Sequence, residues 1–420
     1  MTTLETAKAQ AEIPAEIIEE AKELARGAEI LPEGYMGLAR KIHAARIAGR
    51  ELRVKQGFDP TSSDLHLGHA VGFRKLRRFQ EFGHKVVVII GGFTAQIGDP
   101  TGRNSTRPPL TAEEVSANAK TYLDQMGLIL DLQTAEVVNN ADWLTSLNLG
   151  DIIKLVGKVT VNQLLAKEAF GDRLNKELPL GFHELFYPLL QGYDSVAIKA
   201  DIELGGTDQR FNILQGRELQ PHYGQEPQLA LLLPLLEGTD GQQKMSKTYG
   251  NYVALKDTPD DMLGKCMRIP DSLIIKYFEL ATTLSGAEID AVKAALDQGG
   301  NPRDAKEKLG QQIVKQYHGQ AAADKAVDDW RKVHSERQLP DEIETIDLPK
   351  IESLSLFGLI AASGMAPSNS EAKRLIQGGG VKVDGLQATD PNQVFQTSDF
   401  EQPKIFQVGR RNFKKIKKIT

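Results

Sequence analysis

The chain holds a single cysteine, Cys266, in 420 residues. One thiol excludes an intramolecular disulfide and every zinc site built on several cysteines. It suits a reducing compartment, so a cytoplasmic protein is expected. Long apolar runs are also missing. The longest are residues 86–90 and 229–236, the second interrupted by Pro234. Neither approaches the roughly 18 residues that a membrane span requires, and no membrane association is expected. Neither sign of charge dominates, since 51 Lys and Arg against 56 Asp and Glu leave −5. That excludes a general nucleic-acid coat but leaves room for a local basic patch. Residues 1–30 lack the apolar core of a signal peptide. They read as a helical extension whose amphipathic part is 13–24.

What is present describes an ordinary globular chain, 40% hydrophobic and 25% charged. Its length exceeds the roughly 250–300 residues one core serves, which predicts two or three domains. Residues 31–260 alternate short β-rich runs with helical stretches. Residues 52–56 read as a strand ending at Gly57. Residues 64–82 read as a helix with Leu65, Phe73, Leu76 and Phe79 on one face and Gly83 as its stop. Residues 85–90 read as a buried strand closed by Gly91 and Gly92. Further strands are expected over 137–139, 196–204 and 229–236. Strands separated by helices predict an α/β fold with a parallel sheet, whose ligands sit beyond the carboxyl ends of the strands.

The texture changes near residue 260. Residues 261–334 show no convincing strand and predict a helical domain, with helices over 271–282, 286–297 and 302–317. Residues 335–350 are acidic and hold two prolines, the composition of a linker. Residues 351–420 predict a small α+β domain: a helix pair, short strands over 381–383 and 405–408, and a basic tail. In that tail Phe413 and Ile416 interleave with lysines, as an edge strand would.

Four motifs carry polar chemistry. The first runs GFDPTSSDLHLGH from Gly57 to His69. A strand ends, an Asp59-Pro60 turn follows, and a helix begins. His66 and His69 stand three apart, hence on one face of the first turn, where unpaired N–H groups favour an anion. Gly68 leaves room for a ligand against the backbone. By itself the pattern also fits two surface histidines, or half of a metal site with no third ligand nearby. The second motif is Lys244-Met245-Ser246-Lys247-Thr248, in a polar loop after Gly238-Thr239-Asp240-Gly241. Two lysines flanking small polar residues suit a mobile clamp on a polyphosphate. The third spans 97–109, with Arg103 and Arg107 in a Gly/Pro/Ser loop after Asp99. The fourth joins Tyr187, Gln191, Tyr193 and Asp194 to the later run Gly205-Gly206-Thr207-Asp208-Gln209.

In this order and spacing the motifs resemble a class I aminoacyl-tRNA synthetase. His66–His69 looks like the HIGH signature and Lys244–Thr248 like KMSKS. GFDPT, IGDPTG, YxxxQxYD and GGTDQRFN in series are similar to the bacterial tyrosyl-tRNA synthetases. Residues 351–420, with SNSEAKRLI and VKVDG, resemble the RNA-binding domain that ends those enzymes and recurs in a ribosomal small-subunit protein. The resemblance implies a Rossmann-type catalytic domain over 31–260 and a connective insertion near 115–190 through which a homodimer forms. It implies L-tyrosine, ATP as its Mg2+ complex and tRNA(Tyr) as substrates, and no protein-bound metal.

By position it implies that Thr61, His66 and His69 meet the ATP phosphates, with Asp59 and Gly68 beside the nucleotide. Lys244, Lys247 and Thr248 would hold the leaving pyrophosphate, joined by Arg103 and Arg107. Asp208 would bind the ribose and Gln209 the tyrosine carboxylate region. Asp99, Tyr187 and Gln191 would surround the amino group. Asp194 would accept the substrate phenol. Three positions depart from the family's pattern. Lys55 stands where many members have a tyrosine that touches the phenol; Lys55 serves in its stead, or Asp194 acts alone. Thr248 replaces serine, and Arg103 replaces a frequent lysine. A non-catalytic RNA-binding descendant would be expected to lose HxGH or the clamp lysines, and this chain keeps both. A tryptophan-specific relative would lack the phenol acceptor.

Overall fold

The computed structural model describes residues 13–60, 64–101, 111–332, 343–348, 353–409 and 412–418. The chain divides into two units, residues 1–323 and 324–420.

In the first unit, Lys85–Ile90 is buried at every position after its lysine, and Leu229–Leu233 is buried throughout. Runs apolar on both faces belong inside a sheet that is covered on both sides. They are two of six strands: β1 (Glu29–Leu31), β2 (Arg53–Phe58), β3 (Lys85–Ile90), β4 (Glu136–Asn139), β5 (Ile202–Gly206) and β6 (Leu229–Leu233). Their order is β1-β6-β5-β2-β3-β4. Strands β2 to β6 pair in parallel, and β1 lies antiparallel on β6. From β2 the chain steps outward to β3 and β4, then returns to place β5 and β6 on the other side. At such a reversal the loops leaving the two central strands part and open a crevice beyond their carboxyl ends.

Several elements differ from the sequence reading. The run 196–204 alternates like a strand, with Val196, Ile198, Ala200 and Ile202 all buried. Val196 nevertheless belongs to the helix Tyr187–Ala197, Ile198 caps it, and Lys199 turns the chain at φ 53° before β5 begins. The strand expected over 196–204 is therefore confined to its last residues, within β5. The strand expected over 229–236 stops at Leu233, because Pro234 has no N–H for the ladder. The helix expected from residue 64 spans Leu67–Glu81, and His66 before it is extended (φ −133°, ψ 172°). Leu65 is buried from an extended segment whose carbonyl accepts from the Leu255 N–H. Strand β1 begins within the segment read as a helical extension, after a helix over Ala15–Ala25.

Past residue 258 the first unit is helical: Pro259–Cys266, Ile274–Ala281, Gly286–Asp297 and Pro302–His318. Ser285 opens the third with a capping box to Glu288, and Asn301-Pro302 opens the fourth. Gly310 lets the fourth approach the first, since a Cβ there would stand 2.4 Å from Leu263 Cδ1.

The second unit has strands β7 (Thr345–Leu348), β8 (Ser353–Ser355), β9 (Val381–Val383), β10 (Leu386–Gln387), β11 (Val394–Gln396), β12 (Lys404–Val408) and β13 (Asn412–Lys418). Five form a sheet in the order β10-β9-β12-β13-β7, and β8 pairs with β11. Helices Leu356–Ala362 and Asn369–Gln377 cover a core that includes Leu356, Ile360, Ile376 and Phe406. Two expectations are corrected here. Residues 345–348, acidic enough to read as linker, form the edge strand β7. Strand β13, read as the edge, is therefore interior and pairs in parallel with β7. Lys414 reaches Glu344 at 3.2 Å and Lys417 reaches Asp347 at 3.5 Å. The acids that suggested a linker are partners of the basic strand.

Candidate active site

A cavity of about 310 Å³ opens at the carboxyl ends of β2 and β5, where the strand order reverses. Of the residues singled out from sequence, Asp59, Gly68, His69, Asp99, Tyr187, Gln191, Asp194, Asp208 and Gln209 line it. Thr61, Arg103 and Arg107 lie outside the described residues.

Asp194 is a buried polar group of the wall, 4% exposed. Trp143 Nε1 donates to its Oδ1 at 2.8 Å and Asn140 Nδ2 to its Oδ2 at 3.2 Å. Burial pushes this carboxyl up to about 7, against the opposing pull of the Lys55 charge and the two donors. Asp59, just past β2, accepts from Tyr187 OH and from Thr94 Oγ1, both at 2.8 Å. Gly91 makes room for that carboxylate, because a Cβ there would stand 2.0 Å from Asp59 Oδ1. Asp99 accepts from Gln209 Nε2 at 2.6 Å. Lys167, buried, lies 3.8 Å from the other Asp99 oxygen and donates to Asn212 at 2.8 Å. Burial lowers its pKa while Asp99 and Asp208 oppose that shift. The wall thus sets three carboxylates, Asp59, Asp99 and Asp208, around a space with an acceptor at its buried end.

The two histidines open the helix Leu67–Glu81. Their rings stand 3.9 Å apart, and the His66 N–H donates to His69 Nδ1 at 3.3 Å. Burial, then His69 and Lys247, lower His66 to about 2; burial, then Lys247 and Lys244, lower His69 to about 4. Both are neutral at pH 7, so they offer N–H groups and not charge. A Cβ on Gly68 would lie 3.0 Å from His66 Nδ1, so this glycine also keeps the ring against its backbone.

The clamp loop is tied at its centre by main-chain bonds and at each lysine by an ion pair. Met245 is buried and its N–H meets the Leu236 carbonyl, while the Ser246 N–H donates to Asn251 Oδ1. Lys244 rests 3.1 Å from Asp208 Oδ2, on the cavity wall, and Lys247 3.1 Å from Asp64 Oδ2. Thr248 is exposed, its N–H on Ser246 Oγ. Lys55 is 1% exposed; its Nζ meets Glu203 Oε1 at 3.1 Å and the Gln191 carbonyl at 3.2 Å.

Sequence reasoning missed Thr94, Asn140, Trp143, Lys167 and Glu203. Asn140 and Trp143 follow directly on β4, at the carboxyl-end position where such sheets bind ligands, and that signal could have found them. Nothing local to Lys167 or Thr94 marks them. Among the described residues no cluster of His, Cys, Asp and Glu could hold a metal ion, and no helix is long and apolar enough to cross a membrane.

Residues 48–335 match the family model for tRNA synthetases class I (W and Y), and residues 356–400 match the S4 domain. The chain is 49% identical over 394 residues to the tyrosine–tRNA ligase of Carboxydothermus hydrogenoformans, covering 93% of this chain and 95% of that one. It is 45% identical over 403 residues to that of Moorella thermoacetica, covering 96% of each. Among solved structures, a C-terminally truncated mitochondrial tyrosyl-tRNA synthetase of Aspergillus nidulans shares the fold, with a TM-score of 0.64 at 21% identity. That match covers 78% of this chain and 96% of the other.

Proposed function

The chain belongs to the class I tRNA synthetases of the tryptophan and tyrosine group and acts as a tyrosine–tRNA ligase; from that premise we propose how its cavity does the work. The tyrosine carboxylate attacks the α-phosphorus of ATP, pyrophosphate leaves, and tyrosyl-adenylate forms. A hydroxyl at the tRNA 3′ end then attacks the tyrosyl carbonyl and AMP leaves. The substrates supply nucleophile and leaving group in both steps. The protein's task is placement and stabilisation of phosphate charge.

The observation that carries the reading is the buried Asp194 carboxylate, held from behind by Asn140 and Trp143. It accepts the substrate phenol at the closed end of the cavity. Phenylalanine would leave this buried acceptor without the phenol's hydrogen bond, and enzymes of this same family supply the usual magnitude of such rejection, about 10⁴–10⁵. Asp99, Tyr187 and Gln191 take the amino group, Tyr187 being aimed by Asp59. Gln209 takes the carboxylate region and Asp208 the ribose. As the ribose arrives, Lys244 gives up Asp208 and turns to the phosphates. Neutral His66 and His69, with Thr61, donate to those phosphates, and Asp59 and Gly68 line the nucleotide's side. Lys244, Lys247 and Thr248 hold the pyrophosphate, joined by Arg103 and Arg107. ATP enters as its Mg2+ complex, a substrate.

The S4-like unit serves tRNA(Tyr). The exposed apolar side chains Leu149, Ile153, Val161 and Phe182, 60–75% exposed, form the surface of a homodimer. The enzyme works in the cytoplasm. Pyrophosphate exchange with tyrosine, tryptophan and phenylalanine tests the assignment. Exchange with tyrosine alone is expected, and exchange with tryptophan would overturn the role given to Asp194.

A further inference from the structure

Lys55 and Glu203 are register partners on β2 and β5, the two strands that flank the reversal of strand order. Both are 1% exposed. Taking two charges out of water costs several kcal/mol each, so a buried pair is weak evidence for stability and invites another explanation. The contacts supply one. Glu203 is saturated: Oε1 receives Lys55 at 3.1 Å and Gln191 Nε2 at 3.0 Å, and Oε2 receives Ser195 at 3.0 Å and Gln228 at 2.5 Å. Lys55 also donates to the Gln191 carbonyl. Gln191 is thereby held at both ends, main chain by Lys55 and side chain by Glu203. It stands three residues before Asp194 on the same helix, so the two share a face and line the same cavity.

We propose that Lys55 and Glu203 form a positioning pair for tyrosine, which fixes Gln191 and supplies the electrostatic field in which Asp194 meets the phenol. Lys55 acts through these residues and not by touching the substrate. The inference rests on the reading of Asp194 as the phenol's acceptor.

The groups facing Asp194 are Lys55 from β2, Glu203 from β5, Tyr187 from its own helix, and the uncharged donors Asn140 and Trp143. The two charges of the pair act in opposite senses: Lys55 favours the ionised carboxylate and Glu203 opposes it. A merely structural pair has no such antisymmetry. The test is the pH profile of kcat/KM for tyrosine in pyrophosphate exchange, for the wild type, Lys55→Met, Glu203→Gln and the double variant. Without Lys55 the Asp194 carboxyl ionises at higher pH, so the acid limb moves up. Without the Glu203 charge it ionises at lower pH, and the limb moves down. Each shift is about one pH unit, the size expected of a close buried charge. The double variant returns towards the wild type. In both single variants the KM for tyrosine rises while that for ATP holds, because Gln191 loses one of its ties.

Limbs that stay in place, or that move the same way in both single variants, overturn the proposal. Lys55→Met leaves Glu203 charged and uncompensated, and if that chain does not fold the double variant takes its place, with a limb above that of Glu203→Gln alone. A limb at or below it overturns the proposal. A wild type that exchanges no tyrosine would sink the assigned function and this inference with it, whereas a wild type that exchanges, with unshifted variants, sinks the inference alone.

Discussion

Lys247 Nζ lies 3.1 Å from Asp64 Oδ2, two residues before His66, so the far lysine of the clamp loop rests on the segment that leads into the histidine pair. Its charge reaches both imidazoles and helps hold them neutral. In the proposed mechanism a cation placed there meets the negative charge that grows on the departing pyrophosphate.

Lys247→Ala is therefore expected to slow adenylate formation by roughly 10²–10³, the usual loss on removing one electrostatic stabiliser. Tyrosine binding should hold, because Lys247 is paired with Asp64, away from the tyrosine end at Asp194. Single-turnover adenylation with a separate tyrosine Kd distinguishes the two. An unchanged rate constant with a weakened Kd would remove Lys247 from the clamp.

Asp194→Ala should damage tyrosine use far more than phenylalanine use. A buried phenol that loses a charged acceptor forfeits about 1.5–3 kcal/mol, so the ratio of kcat/KM values should fall by at least about tenfold. Trp143→Phe removes one of the donors behind Asp194 and should shift the ratio in the same direction by less. Equal losses with both amino acids would make Asp194 structural.

The parallel sheet was legible because β3 and β6 are buried on both faces and read as unbroken apolar runs. The reversal of strand order was not legible, since no local pattern says on which side of β2 the strand after the connective segment returns. Most of the polar side chains of the cavity wall were found through motifs, as they sit in the segments that follow β2, β3 and β5 and on the helix Tyr187–Ala197. Glu203 escaped notice because a strand interior gives no hint that a carboxylate is paired across the ladder. Strand β7 escaped for the converse reason: its acids read as solvated linker, while Lys414 and Lys417, seventy residues away in sequence, are their partners.

The histidine pair gives acid sensitivity of a definite sign. Both rings have folded pKa values below the usual 6.5, at about 2 and about 4. Unfolded chains therefore take up more protons below about pH 6.5, and stability falls as pH drops from there towards 4. Asp194 opposes this, since its raised value lets the folded state hold a proton below about pH 7. Urea midpoints between pH 7 and 4.5 should fall less steeply in His69→Asn than in the wild type. A wild-type slope retained in that variant would show that the imidazole is not held neutral.

The last unit should serve tRNA and not adenylation. Its sheet brings Lys414, Lys415 and Lys417 onto the interior strand β13, yet Glu344 and Asp347 already engage two of them. The cut belongs before β7, because removing only residues from 348 onward would strip β7 of its partner strand. Deleting residues 336–420 is expected to leave tyrosine-dependent pyrophosphate exchange close to intact, raise the KM for tRNA, and flatten the salt dependence of tRNA binding. Each phosphate neutralised contributes a slope of about −0.7 to −0.9 in log K against log salt. The paired acids allow a sharper check within the full chain. Glu344→Gln with Asp347→Asn frees Lys414 and Lys417 without touching β13, and each lysine that then meets a phosphate should steepen the slope by that same amount. An unchanged slope in the acid variant would place the RNA on another face of this unit, and an equal loss of exchange and charging in the truncation would mean that the unit supports the fold of the first.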